Sequence, residues 1–158
     1  MRAITFLVVL TAVIGLSACS QAIRDDGTVL KQPKYDELLK SISGQNGRLC
    51  IRERDINGYG TLNSHVLSVG SRKNKHYLVT TMYSCPSLQH TMRAAFIGSF
   101  SDFCGGGRDK IATHEESCPI RNIYEFDSRD AAFEAFDQAK EKYQAVEQEI
   151  KEIRRKKS

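Results

Sequence analysis

No apolar stretch in this 158-residue chain is long enough to cross a bilayer. The longest, residues 4–16, falls well short of the roughly 20 residues that a spanning helix needs. The chain also lacks a strong charge bias: 23 Lys and Arg stand against 19 Asp and Glu, too even a balance to indicate a nucleic-acid partner. Local signatures of catalysis and cofactor binding are missing as well. There is no glycine loop followed by Gly-Lys-Ser/Thr, no G-x-G-x-x-G, no Gly-x-Ser-x-Gly and no His-Glu-x-x-His. Nothing therefore speaks for a nucleotide-binding enzyme, a serine hydrolase or a zinc protease. Without C-x-x-C or C-x-x-C-H there is no redox dithiol and no haem attachment. The sequence calls for no cofactor, no metal and no enzymatic activity.

What is present begins at the N-terminus. Arg2 supplies a positive charge, residues 4–16 a short apolar stretch, and Leu16-Ser17-Ala18-Cys19 a run of mostly small residues closed by a cysteine. This ending reads as an export signal rather than an anchor helix. The four residues resemble the bacterial lipobox, in which the cysteine receives diacylglycerol and becomes an acylated N-terminus. The resemblance implies loss of residues 1–18 and lipidation of Cys19. Ser20, in place of Asp, implies the outer membrane of a Gram-negative cell envelope, facing the periplasm. A membrane is then the first partner, held through acyl chains worth roughly 0.8 kcal/mol per buried CH₂.

Four cysteines follow: Cys50, Cys85, Cys104 and Cys118. An even number in an oxidising compartment reads as two disulfides, and the wide spacing does not suit a metal centre. The first and last strands are expected to be neighbours in a closed sheet. That favours Cys50–Cys118, with Cys85–Cys104 stapling a middle hairpin, although sequence leaves the two other pairings open.

Residues 19–33 carry no sustained periodicity and read as the lipidated end and a flexible tether. A disulfide-bonded β-rich domain is expected over residues 34–127. It starts with a short helix after Pro33, whose stripe Tyr35, Leu38, Leu39 and Ile42 ends at Gly44 and Gly47. Strands are expected over residues 49–56, 65–69, 76–82, 92–100, 110–113 and 118–126, while Asn57-Gly58-Tyr59-Gly60 reads as turn chemistry. The fold class is mainly β (α+β): a small antiparallel barrel or sandwich of about six strands. A long amphipathic helix fills residues 128–158, capped by Asp127 or Ser128 and ending in basic residues.

Three features are candidate interaction sites. Gly105, Gly106 and Gly107, with Arg108 and Lys110, form a loop that can present successive N–H groups to an anion. The competing reading is a tight turn beside a disulfide where only glycine fits. The basic cluster at residues 72–76 forms a hairpin tip that can meet an acidic envelope surface or simply be solvated. The helix seam of Phe136, Tyr143, Val146, Ile150 and Ile153 suits either docking on its own domain or a protein partner, including a second copy. His65, His76, His90 and His114 are too scattered to suggest a metal site.

The runs Gly47-Arg48-Leu49-Cys50-Ile51-Arg52, Asn74-Lys75-His76-Tyr77-Leu78-Val79-Thr80, Cys85-Pro86-Ser87-Leu88, Cys104-Gly105-Gly106-Gly107-Arg108-Asp109-Lys110-Ile111 and Cys118-Pro119-Ile120-Arg121 carry a further resemblance. Over residues 47–126 they resemble a family of small exported proteins of Gram-negative bacteria known only as a domain of unknown function. The resemblance implies an envelope location and a shared disulfide-bonded fold, and brings no activity or catalytic residue. The C-terminal helix lies outside it. The expected role is a lipid-anchored, non-enzymatic binding or assembly module. A small-ligand or anion-binding domain on the Gly105–Gly107 loop is the alternative. An envelope enzyme comes third and requires an apposed histidine and carboxylate in a pocket.

Overall fold

The computed structural model describes residues 22–24, 27–91, 93–98 and 101–156; the leader and Cys19 lie outside the described residues. Along the chain run β1 (Ala22–Ile23), β2 (Val29–Leu30), α1 (Tyr35–Ser43), β3 (Cys50–Arg52), β4 (Ile56–Thr61), β5 (Val66–Ser71) and β6 (His76–Thr81). Then follow β7 (Ala95–Ile97), β8 (Asp102–Cys104), β9 (Lys110–Ala112), β10 (Ser117–Phe126) and α2 (Arg129–Lys156). The expected mainly-β fold with two disulfides, a short helix and a long C-terminal helix is what the chain forms.

Strand β10 holds the domain together. Its first residues, Ser117 to Pro119, pair with β9 and the remainder pairs with β6, with a register shift between Ile120 and Asn122. A bulge of this kind bends a strand and raises its twist. The six-stranded antiparallel sheet, in the order β4-β5-β6-β10-β9-β7, accordingly curls into a half-barrel. The short β3–β8 pair contributes Ile51 and Phe103 to the interior, and β1–β2 forms a separate two-stranded sheet.

Alternation along β5 sorts two cores. Leu67 and Val69 join Val79, Leu88, Phe103, Ile111, Ile120 and Ile123 inside the curl. Val66 faces the other way, with Leu78 and Tyr124, and is covered by Tyr35 and Leu39 of α1 and by Ala132, Ala135, Phe136 and Ala139 of α2. Helix α1 stops at Gly44, whose φ of 69° closes an N–H bond to the Lys40 carbonyl. Helix α2 is capped by the Ser128 hydroxyl, which accepts the Ala131 N–H at 3.1 Å.

Several expectations are corrected. The disulfides are Cys50–Cys104 and Cys85–Cys118, not Cys50–Cys118 and Cys85–Cys104. Cys50 stands opposite Cys104 in the β3–β8 pair, while the bridge from Arg48 to Ile123 of β10 is an isolated one that lies ahead of β3. The expected strand at 49–56 breaks into β3 and a 3₁₀ turn at Glu53–Asp55, and the expected turn at 57–60 lies inside β4. Glycine's weak strand preference was there outweighed by pairing with β5. Part of the expected tether is ordered too: Ala22 and Ile23 pair with Leu30 and Val29 and lie against α2.

Candidate functional site

A groove of about 770 Å³ opens on the helix-covered face of the sheet, beyond the reach of α1. Its floor is the β4–β5 pair and its far wall is the start of α2, where Arg129 and Phe133 overhang. Three glycines line it: Gly58 and Gly60 from β4, and Gly70 opposite Gly58 on β5. A Cβ on Gly70 would stand 2.6 Å from the amide oxygen of exposed Asn57, so that side chain would have to swing aside. Gly58 and Gly60 differ. Neither has a positive φ, and an added Cβ at either meets nothing within 4 Å.

Among the described residues, strand β4 is also an edge, pairing with β5 alone. The Leu62 N–H donates to the Val66 carbonyl at 2.9 Å. Counting back in steps of two puts Gly60–Ser68 and Gly58–Gly70 in hydrogen-bonded register, which turns the Tyr59 N–H and C=O away from β5. The Tyr59 ring crosses to the other face, meets Phe96 edge-on at 5.8 Å and accepts the Ala94 N–H on its hydroxyl, fixing the edge in place.

The groove's polar wall is internally compensated. Lys75 pairs with Asp127 at 2.6 Å and Glu125 at 3.3 Å, and these bonds raise its pKa above the ordinary lysine value. His76 Nε2 and the buried Ser68 hydroxyl lie 2.7 Å apart. Burial, then the nearby Arg129 charge, lower the His76 pKa and favour the neutral ring. Arg129 sits 4.9 Å over the Phe133 ring. His76 and Asp127 both line the groove, but the Asp127 carboxylate is bonded to Lys75 and the His76 ring is partnered by Ser68.

The sequence-selected residues fall elsewhere. The N–H groups of Gly105, Gly106 and Gly107 donate to the carbonyls of Leu49, Arg121 and Ile120, at 3.0, 2.8 and 2.7 Å. None is left for an anion. The loop plugs the carbonyls freed by the β10 bulge, while Arg108 and Lys110 are exposed beside it. Its glycines are structural: Gly106 and Gly107 have φ of 128° and 86°, and a Cβ on Gly105 would overlap the Gly47 carbonyl. The three glycine N–H groups therefore do not form the expected anion cradle.

The helix seam turns inward. Phe136 and Ile150 are buried within the chain, and Tyr143 stacks on Tyr35 at 4.7 Å between ring centres. Val146 and Ile153 are half-buried. Phe136 and Ile150 of the seam are thus used by the protein's own fold, while Tyr143, Val146 and Ile153 are covered in part. The basic hairpin tip is likewise partly neutralised, since Lys73 pairs with Asp55 at 2.8 Å. Asn74, Lys75 and His76 of that cluster do line the groove. Glu116 lies with Cys85 and Cys118 at metal-ligand spacing. The two sulfurs are bonded to each other, and the carboxylate accepts the Ser87 N–H at 2.9 Å.

Asn57-Gly58-Tyr59-Gly60 reads as turn chemistry, so the β4 half of the groove's floor is not legible in the sequence. The available signal was the i, i+2 spacing of Gly58 and Gly60 around an aromatic, which puts both glycines on one face of a strand.

A family model, DUF6491, described as a family of unknown function, matches residues 1–144. No curated protein and no solved structure matches the chain. The match reaches beyond residues 47–126 in both directions, taking in the N-terminal residues and more than half of α2. The helix placed outside the resemblance is thus for the most part within the family's pattern, and the chain belongs to the DUF6491 family, a family of unknown function.

Proposed function

We propose that this protein is a lipid-anchored, non-enzymatic binding module of the Gram-negative envelope, held through Cys19, whose binding surface is the β4 edge with its glycine floor. Its partner is an extended segment of another protein, laid beside β4 so that main-chain groups pair with Tyr59 and alternate side chains enter the groove. Gly58 and Gly60 carry this reading. Glycine weakens a strand; Gly58 borders the register shift of β4, but Gly60 lies beyond it, and with neither its φ nor its neighbours demanding glycine it leaves room for another chain to approach closely. The compensated charge of the wall suits a peptide backbone better than a phosphate or an acidic glycan.

The test is a photo-crosslinking residue at exposed Asn57 in the full lipoprotein, in native envelopes, with and without Gly60→Val. A protein adduct lost in the valine variant, with slower Tyr59 amide exchange when the captured segment is added as a peptide, is the expected result. An adduct indifferent to Gly60→Val, or Tyr59 exchange unchanged by the peptide, overturns the proposal.

A further inference from the structure

Arg24 donates to the Glu149 carboxylate from both Nε and Nη2, at 2.5 and 2.7 Å. This pair ties the β1 end of the chain to the C-terminal part of α2, where neighbouring Ile150 is buried. Two chain lengths are measured from it. The five residues back to Cys19 span at most about 18 Å. From Glu149 forward, α2 rises roughly 10 Å to Lys156. The exposed run Arg154, Arg155 and Lys156 is therefore confined to the neighbourhood of the residue read as the acylation site.

We propose that the basic end of α2 is a second membrane-binding element, seated on acidic phospholipid headgroups beside the acyl anchor. It holds the domain against the bilayer in one orientation rather than leaving it free on a tether. The inference rests on lipidation of Cys19. Stable attachment of an acylated protein commonly combines the chains with a basic patch, and headgroup attraction acts within a Debye length of the surface. Among the described residues of α2, the nearby acids do not cancel the patch: Glu149 is spent on Arg24 and Glu147 on Lys151, leaving Glu152 against three cations. Cations at a helix C-terminus also complement its dipole, but that alone gives no reason for the anchored end of the chain to be pinned to the same segment.

The experiment uses the lipoprotein purified from envelopes and reconstituted into phosphatidylcholine vesicles with or without phosphatidylglycerol. Hydrogen exchange is read over residues 150–156, and the N-terminal peptide is weighed by mass spectrometry. At least a twofold slowing of exchange with phosphatidylglycerol is expected, lost at high salt and in the exposed triple variant Arg154→Gln, Arg155→Gln, Lys156→Gln. An acylated chain whose exchange ignores lipid charge overturns the basic contact alone. Cys19 without acyl mass overturns the anchor, and the proposal with it.

Discussion

Gly105 lies so tightly beneath Gly47 that a Cβ on it would stand 2.1 Å from the Gly47 carbonyl oxygen. The same loop sends its Gly106 and Gly107 N–H groups to the β10 bulge, so it locks the first disulfide onto the sheet. Backbone atoms cannot yield as a flexible side chain can. Gly105→Ala should therefore cost about 2 kcal/mol or more, seen as a clear drop in the denaturant midpoint. Wild-type stability in that variant would contradict the packing described.

Gly58 and Gly60 predict the opposite. Each sits in β4 with open space where a side chain would grow. Gly60→Val should leave stability unchanged or raise it by up to about 1 kcal/mol, because valine suits a strand and glycine does not. Thermal melting of the single variants beside Gly105→Ala gives the comparison directly.

Disulfide mapping should recover the peptides of Cys50 with Cys104 and of Cys85 with Cys118. Both Cys85 and Cys118 are fully buried, so replacing the pair by alanine should destabilise by about 2–5 kcal/mol. A Cys50–Cys118 peptide would refute the β3–β8 pairing.

Phe136 is packed with Tyr35 and Leu39 of α1 and with Val66, Leu78 and Tyr124 of the sheet. Phe136→Ala should cost about 3 kcal/mol, whereas half-buried Val146 should cost much less when shortened to alanine. Equal, small effects at both positions in urea unfolding would mean that α2 does not dock as described.

Two histidines set a pH dependence above that of the carboxylates. Burial is the main cause of a lowered pKa at both His65 and His76, so the folded state binds fewer protons than the unfolded chain below about pH 6.5. Their stabilising effect is complete above that value and is lost as pH falls through the lower folded pKa values. Asp55, Glu116 and Asp127 are also held low, by hydrogen bonds first, and add a second loss only below about pH 4.5. Unfolding midpoints from pH 8 to 3 should show both steps. His76→Gln should shrink the first and spare the second.

The sequence by itself determined the helices, the β-rich middle and the use of two disulfides. Tyr35, Leu38, Leu39 and Ile42 repeat at helical spacing and Gly44 stops them, so α1 is written within nine residues. The basic turn between β5 and β6 likewise marks its own hairpin. These signals are local: a stripe, a cap or a turn needs no distant residue to be understood. Which cysteine met which, which side of α2 was covered and what the glycines were for were decided by tertiary structure. Cys50 pairs with Cys104 because β3 lies beside β8, a long-range choice with no short-range mark. Gly105 and Gly60 are the same residue type in the sequence, yet one is crowded by a carbonyl and the other faces open space. A side chain's chemistry travels with the residue, but its neighbours come from chain segments that only folding brings together.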